Sequence, residues 1–588
     1  MTIDSRRRER RARLWRAAGA ALPCLAAVML AAGCKAEYPV FDPHAAQRPN
    51  REAASTYKNY QLPPLPTTLQ STFLPPRAGE RRPPTRPTTV PTTGPALTVD
   101  PIVRLPLQEI IHRAVANNLD VRVAGYQPAI DATRTIEADA RFDPTYFANI
   151  QFERRDNKQA FSTVTTGSGN LDRQNILTGQ TGLRQNLESG GQVELRYQTS
   201  RTDVQGLGQF SQINPNPFWE NQIVLQLTQP LLQNFGNDIN RARILISRNN
   251  QKISLLDFRK QIEETTRDIE QAYWQLVQAE RDLWVAERLL ADTLRTADIL
   301  SKRMGQDVTR VQLSQANASV EQRRTALVRA RSRVRDLSDQ IKRLMEDPDM
   351  PVSGDVLVLP ADGPLEEAVH FDLSEEMSAA LLNRFELGQQ QLRIDNAAIA
   401  SNVAKNNLLP QLNFVGQVGF QGLGDGFESA FYDQMDFNQL NYQAGLQFEI
   451  PIGNRAARAI MTRARLQQQQ AIDDYRRQVD QIALDVKTAL REVETTWNEM
   501  AGRRQARFGF ADQLAAIEQR EAGGEALTPT FVQLKLQSQE ELADSARLEN
   551  EAVANYNFAI ARLEFVKGTL LRYNNVIMEE EKLKMGGQ

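Results

Sequence analysis

The segment from Arg241 to Leu300 has the most regular apolar pattern in the chain and contains no Gly and no Pro. Large apolar residues recur at every seventh position, and a second seven-residue series, mostly Ala and Thr, runs four residues apart from the first. One series is Ile262, Ile269, Leu276, Leu283 and Leu290, and the other is Phe258, Thr265, Ala272, Ala279, Ala286, Thr293 and Leu300. Two such series form a single narrow seam, which predicts a coiled-coil helix. A helix of about 60 residues would be roughly 90 Å long.

Further segments predict a partner for this helix and a second pair of long helices. Their apolar positions are Leu313, Val320, Leu327, Val334 and Ile341, then Val479, Val486, Val493 and Met500, and finally Val553, Tyr556, Ile560 and Leu563. The predicted turns are SKRMGQDVTRVQ, which follows Leu300, and GGEALTP at Gly523–Pro529. The pattern therefore predicts two long helical hairpins.

From Leu105 onward the chain contains an internal repeat. Leu107 aligns with Leu373, a shift of 373 − 107 = 266, and Pro144 aligns with Pro410 at the same shift. Later, LQLTQP at Leu225 matches LQFEIP at Leu446 in the same order. Each half then has one plan: a helix (about 107–141 and 373–408), a β-hairpin and a long helix pair. Each first helix is predicted to end before its proline.

The predicted strands alternate apolar and polar residues. The apolar positions are Tyr146, Ala148, Ile150 and Phe152, then Ile223, Leu225 and Leu227, then Phe414, Gly416, Val418 and Phe420, and last Leu446, Phe448 and Ile450. In a soluble sandwich the apolar face would meet another sheet. In a membrane barrel it would meet lipid, and the opposite face, rich in Gln, Asn and Glu, would line a water-filled lumen.

Counting strands limits the barrel interpretation. Four strands per chain fall short of the ~8 that the smallest barrels need, and bare sheet edges are not viable in lipid. Either several chains share one barrel, or there is none. An inserted hairpin at Thr181–Ser200, turned at Gly190-Gly191, adds two strands or sits outside; the sequence leaves both open. Asp203–Trp219 and Gly422–Asn441 are predicted to be surface loops.

Composition excludes several classes of function. The chain has 588 residues and a net charge of -2, which disfavours a nucleic-acid partner. Its only cysteines, Cys24 and Cys34, exclude a disulfide framework and cysteine-based zinc sites. The paired carboxylates Glu263-Glu264, Asp473-Asp474 and Glu540-Glu541 are predicted to be solvated. No catalytic, cofactor or metal motif is found, so the chain is predicted not to be an enzyme.

The N-terminus predicts export. An Arg-rich start precedes an apolar run that ends Leu30-Ala31-Ala32-Gly33-Cys34. This resembles a bacterial lipoprotein signal in which Cys34 is lipidated; a plain membrane anchor or a signal cut elsewhere is the alternative. Lys35 after the cysteine suggests sorting to the outer membrane. The predicted domains are a signal (1–34), a Pro/Thr-rich linker (35–104), a first repeat (105–346), an inter-repeat linker (347–370), a second repeat (371–571) and a tail (572–588).

From Leu105 to Leu571 the chain resembles the TolC-like outer-membrane efflux proteins. The resemblance rests on the duplicated plan, the segment LQLTQPLL and its partner LQFEIPIG, and the RARI and RAIM segments after the strands. It implies a mostly α fold with membrane β: a duplicated helix–β-hairpin–long helical hairpin. It further implies a homotrimer in the outer membrane of a diderm bacterium, with one shared β-barrel and an α-helical periplasmic tunnel.

The resemblance also implies a function and partners. The chain would be a passive exit duct of a tripartite efflux or type I secretion system, docked to a periplasmic adaptor protein and an inner-membrane pump. The competing hypothesis is a non-conducting structural lipoprotein, which would not need strands with one lipid-facing and one lumen-facing side. The cargo and the class of pump stay open.

The helical turns supply the candidate site residues. Asp307 and Glu525 would form acidic rings at a tunnel-tip gate and favour cations; the alternative is that both are ordinary turn or capping residues. Arg303, Met304, Gly305, Gly523 and Gly524 are the candidate adaptor contacts, against the alternative of ordinary glycine helix termination.

Overall fold

The computed structural model describes residues 101–158, 171–205 and 215–576. The predicted signal, Cys34 and nearly all of the predicted 35–104 linker lie outside these residues. The helices are α1 (Leu107–Asn117), α2 (Leu119–Asp139), α3 (Asn237–Asn240), α4 (Ala242–Lys302), α5 (Arg310–Met345), α6 (Leu373–Asn383), α7 (Phe385–Asn406), α8 (Phe427–Met435), α9 (Arg455–Ala522), α10 (Pro529–Lys567) and α11 (Leu570–Tyr573). The strands are β1 (Ile102–Leu105), β2 (Thr145–Lys158), β3 (Leu171–Asn186), β4 (Gln192–Gln205), β5 (Phe218–Pro230), β6 (Leu357–Pro360), β7 (Gln411–Gly424) and β8 (Leu440–Glu449).

Both predicted helical hairpins are present. α4 has 61 residues and pairs with α5, whereas α9 has 68 residues and pairs with α10. The seam of α4 is buried where predicted: Ile269 and Leu276 are both 0% exposed. Small residues of the second series, such as Ala272 and Thr293, are buried as well, which lets neighbouring helices approach closely. Among the helices described, none combines the length and the apolar character needed to cross a membrane.

The long helices are arranged side by side. α4 packs against α5 on one flank and α10 on the other, and α10 packs against α9. Nearer the sheet, α2 and α7 are the neighbours of α4, and α7 also packs against α9. Helices with a narrow apolar seam and otherwise polar faces suit such a layer, because only the sides that contact neighbouring helices are removed from water.

The first helix of each repeat is broken, where the sequence predicted one continuous helix. The breaks fall at Asn118, between α1 and α2, and at Arg384, between α6 and α7, both with extended backbone (ψ 128° and 122°). The side chain of Asn118 accepts a hydrogen bond from the N–H of Val121 (3.1 Å) and so starts α2 afresh. An asparagine at this position favours a new helix start over an unbroken helix.

A small parallel sheet joins two segments that were predicted to be linkers. β1 pairs with β6 in the register Ile102 to Leu357 and Leu105 to Pro360. Val358 of β6 is 0% exposed and belongs to the same apolar cluster as the seam of α4. The segment between the repeats is therefore packed onto the long helices, and the described part of the first linker is paired with it.

The remaining strands form one antiparallel sheet in the order β2-β3-β4-β5-β7-β8. The inserted hairpin joins this sheet as β3 and β4, which answers the question that the sequence left open. Its turn contains the predicted glycine pair. Gly190 has φ +92, and a Cβ there would lie 2.2 Å from the carbonyl oxygen of Asn234, so the position requires glycine. The chain contributes six described strands to one sheet.

The two faces of the sheet differ as the alternation predicted. On the apolar face, Ile150 is 81% exposed and Leu446 is 67% exposed. The register places Ile223 of β5 beside Phe420 of β7 on that same face. The polar face carries glutamines and asparagines, and Gln180 and Gln198 are hydrogen-bonded to each other across β3 and β4 (3.3 Å). These two sides are the apolar face and the polar face of the sheet.

The sequence predicted a surface loop at Gly422–Asn441, but this segment contains the helix α8. This helix folds back onto β5 and β7. Ala430 and Gln434, one helical turn apart, are both 0% exposed against the sheet. The packing of this short helix positions several aromatic side chains.

Candidate functional site at the helical turns

The two long hairpins end in turns that lie side by side. The α4–α5 turn contains Gly305 (φ +88), and the α9–α10 turn contains Gly524 (φ +85). Both glycines have left-handed backbone, and a Cβ at either position would meet no atom within 4 Å. Glycine is therefore favoured here by the backbone conformation and not by a lack of space. The second turn also has Gly523, whose N–H donates to the carbonyl of Gln519 (2.9 Å) and ends α9.

Each turn pairs its predicted acidic residue with an arginine. Arg303 Nε donates to Asp307 Oδ1 at 3.1 Å, and a second Arg303 nitrogen contacts the other carboxylate oxygen. Arg520 binds Glu525 in the same two-pronged way, at 2.6 and 2.5 Å. The Arg520 guanidinium holds the pKa of the Glu525 carboxyl below its usual range. Each turn therefore presents a carboxylate together with a neutralising guanidinium, so the acidic rings stay a prediction.

A buried glutamine connects the two turns. Gln312, 1% exposed, accepts from the N–H of Thr309 (2.6 Å), which closes the capping box at the start of α5. Its amide donates to the carbonyl of Leu527 in the other turn (2.5 Å). Around this bond, Val308, Leu527 and Phe531 share one apolar cluster. The tips of the two hairpins are thus a single packed unit.

Further from the turns, a buried arginine also links the two hairpins. Arg323 of α5 is 7% exposed and donates to the carbonyl of Leu536 (2.8 Å) and to Gln539 Oε1 (3.2 Å), both on α10. It also contacts the hydroxyl of Thr293 on α4. Sequence reasoning missed Arg323. The available signal was its spacing: it lies seven residues after Ala316, which is buried, so a charge occupies a seam position.

The remaining candidate residues are grouped at this same tip. Met304 is 49% exposed, and Arg303, Gly305, Gly523 and Gly524 lie within the two turns. The structure therefore brings together all seven turn residues that the sequence singled out. Met304 is open to solvent, while Asp307 and Glu525 face their own arginines. Cys34, the predicted lipidation site, lies outside the described residues.

Midway along α4, two carboxylates are buried, and the prediction that Glu263 is solvated was wrong. Glu263 is 3% exposed and Glu270 is 1% exposed. Oε1 of Glu263 has no hydrogen-bond partner among the described residues. Burial raises the pKa of Glu263 to about 8, with Glu386 adding to the shift and Arg384 opposing it. Burial likewise raises the pKa of Glu270 to about 7, although the amide of Asn574 donates to it (2.6 Å).

Solved structures of bacterial outer-membrane channels share this arrangement over most of their length, although no family model and no curated protein matches the chain. The Campylobacter jejuni CmeC outer membrane channel is 15% identical, with 82% of this chain and 88% of that chain covered and a TM-score of 0.55. The outer membrane protein VceC of Vibrio cholerae is 15% identical over 79% of this chain and 96% of its own, with a TM-score of 0.54.

The open-state Neisseria gonorrhoeae MtrE outer membrane channel is 16% identical over 79% of this chain and 89% of its own, with a TM-score of 0.52. At such identities the likeness establishes the fold. The TolC-like fold that the sequence resemblance implied is therefore confirmed: a duplicated helix, hairpin and long helix pair. The inserted hairpin adds two strands to the four of the duplicated plan.

Replacing Gln312 by alanine should loosen the tip. The change removes the capping bond and leaves the carbonyl of Leu527, a residue that is 2% exposed, without its donor. We expect a loss of about 1–3 kcal/mol, together with faster hydrogen exchange in residues 523–528. Gln322→Ala, at an exposed position on the same helix, is the control. Unchanged exchange at 523–528 in Gln312→Ala would contradict the connection.

The buried carboxylates predict a pH dependence of stability. In the folded protein Glu263 and Glu270 keep their protons to about pH 8 and about pH 7, whereas their ordinary pKa is 4.5. The stabilisation of the folded protein that comes from these raised pKa values is therefore fully present below pH 4.5, and it is lost as the pH rises through the folded-state pKa values. The apparent Tm should fall between about pH 5 and about pH 8.5.

Matched variants separate this effect from general titration. Glu263→Gln should flatten the fall in apparent Tm and should be more stable than the parent at the high-pH end. Glu264→Gln is the control, because the side chain of Glu264 is 34% exposed and lies 3.9 Å from Lys260. Parallel melting curves for Glu263→Gln and the parent across the pH range would refute the assignment.

Proposed function

We propose that the chain is the outer-membrane exit duct of a tripartite efflux or type I secretion system. The observation that carries the proposal is the sheet, whose apolar face suits lipid and whose polar face suits water, continued directly into a layer of long helices. The fold likeness to outer-membrane channels supports it. The duct would conduct passively, with energy supplied by an inner-membrane pump.

The sheet supports assembly from several copies. Within the described strands, β2 and β8 are the two edges, and each is paired on one side only. An antiparallel sheet of six strands leaves edges that run in opposite directions, so β8 of one copy can pair antiparallel with β2 of the next. Three copies would close a barrel of 3 × 6 = 18 strands. Barrels of 16–18 strands enclose an aqueous channel.

The helical layer supports a tunnel in the periplasm. α4 and α9 leave the sheet and end at the paired turns, so three copies would place six turns around the far opening. We propose that Met304 and the neighbouring turn residues contact a periplasmic adaptor protein, and that Cys34 is lipidated and anchors the chain to the outer membrane. The turns support this because Met304 is exposed while the cluster beneath it is packed.

The structural lipoprotein is the weaker alternative. A spacer that only spans the periplasm would have no use for a sheet whose residues alternate between exposed apolar and polar sides. Ile150, Phe152 and Leu446 would leave large apolar surfaces in water, which soluble proteins avoid. The duct explains these residues, because lipid would cover them.

Purified protein in detergent should be trimeric by mass photometry and should give stable single-channel conductance in a planar bilayer. Ile150→Lys should sharply reduce insertion, because a lysine on a lipid face costs ~2–4 kcal/mol near the midplane. Gln151→Lys, one residue along on the polar face, should still insert and should change the conductance. A monomer that neither inserts nor conducts would favour the structural lipoprotein, and equal insertion of the two variants would argue against a lipid-facing side.

The ion pairs at the turns predict opposite changes in ion selectivity. Asp307→Asn leaves Arg303 unpaired, so the tip becomes more positive and cation selectivity should fall. Arg303→Gln leaves Asp307 unpaired, so cation selectivity should rise. Reversal potentials under a salt gradient measure both. If neither substitution moves the reversal potential, the turns are not part of the selective constriction and the acidic-ring hypothesis is lost.

A further inference from the structure

We propose that α8 is an interfacial helix that binds the lipid surface of the outer leaflet. It does so from the outside of the sheet, with Tyr432, Met435 and Phe437 seated among the lipids. This inference rests on the proposed function, because it requires the apolar face of the sheet to face a membrane. It assigns a lipid-binding role to a segment that the sequence alone predicted to be a loop.

The apolar face is the side on which α8 lies. A Cβ on Gly422 would come within 2.2 Å of the carbonyl oxygen of Ala430, and a Cβ on Gly424 within 2.2 Å of the hydroxyl oxygen of Ser429. Val418, Phe420, Gly422 and Gly424 are every second residue of β7 and therefore lie on the same side of the strand. The helix therefore covers an extension of the surface that is apolar further along the strands.

Specific contacts fix α8 in this position. The amide of Asn221, which is 0% exposed, donates to the carbonyl of Phe427 (3.3 Å), and the amide of Gln434 donates to the carbonyl of Phe420 (3.2 Å). Asp433 accepts from the N–H of Leu423 (3.0 Å). These bonds join both ends of the helix to β5 and β7, so α8 is held in place as a built element of the sheet surface.

Aromatic contacts show which way the helix runs. The ring of Phe427 lies 5.7 Å from that of Trp219, which pairs with Gly424 at the end of β7. The ring of Phe437 lies 4.9 Å from that of Phe420, four residues before Gly424 in β7. The connection between β7 and β8 thus turns back toward the middle of the strands. The long helices join the sheet at the opposite end, so α8 marks the outer rim of the proposed barrel.

The outer surface of α8 and of the two residues after it has the composition of a membrane interface. Tyr432 is 64% exposed, Phe437 is 42% exposed and Met435 is 37% exposed. Exposed carboxylates lie at both ends of this segment: Asp425 and Glu428 at the rim end, and Asp436 between Met435 and Phe437. Aromatic side chains interspersed with carboxylates next to an apolar band are typical of the membrane–water boundary, and a short helix with one apolar flank fits in that plane.

Lipid is the occupant because the exposed side chains continue a surface that the proposed function already assigns to lipid. Tyr442 and Leu440 of β8, next to the end of α8, are 80% and 52% exposed on the same face. A protein partner would have to displace lipid from this continuous surface. The exposed residues of α8 and β8 therefore define one lipid-facing patch.

Spin labels at single introduced cysteines test the proposal on the full chain reconstituted in lipid vesicles. Labels go at Tyr432→Cys and Met435→Cys on α8, at Leu446→Cys on the apolar face, and at Glu428→Cys as the water-exposed control; the parent, with only Cys24 and Cys34, supplies the background. Collision rates with oxygen, which concentrates in lipid, and with a water-soluble nickel chelate are measured for each site.

The expected result is a clear order. The oxygen-to-nickel ratio should be highest at 446, intermediate at 432 and 435, and lowest at 428. If 446 is in lipid while 432 and 435 match 428, the interfacial helix is wrong and the duct stands. If 432 and 435 are inaccessible to both reagents, a protein covers α8 and the proposal is also overturned. If 446 itself is nickel-accessible, the sheet does not face lipid and the proposed function fails first.

Discussion

The close approach of neighbouring helices along the seam of α4 is the constraint on which the rest of the structure depends. The second apolar series of α4 consists mainly of alanine and threonine, and its buried members leave room for α5 and α10 to pack close to the backbone. Because these side chains are short, α4 can be flanked on both sides without becoming apolar all round. A helix with bulky residues in both series would hold its neighbours apart, and the helices of a single layer would then pack less closely.

Much of this architecture could be predicted from the sequence because it follows local periodicity. The seven-residue spacing located α4 to within one or two residues, and the two-residue alternation identified the faces of the sheet. The internal repeat supplied the order of elements. These signals report which side of a helix or strand is buried, and the spacing of apolar residues along a short stretch of sequence is enough to show it.

Other features could not be predicted, because they depend on contacts between distant segments. Glu263 is buried because the α6–α7 break packs over that flank of α4, and no local signal in α4 records this neighbour. The pairing of β1 with β6 joins residues of two predicted linkers. The candidate residues lie in the two turns and their roles stay predictions, whereas the pairing of each acid with an arginine emerged only from the folded geometry.

The bond from Gln312 to the carbonyl of Leu527 crosses between the two copies of the internal repeat. Duplicated halves are usually free to diverge, since each retains its own core. Here the first copy supplies the donor that satisfies a buried backbone acceptor of the second, so the loss of Gln312 from one turn also destabilises the other. The two copies are therefore energetically coupled at the tip, and neither turn keeps its conformation independently of the other.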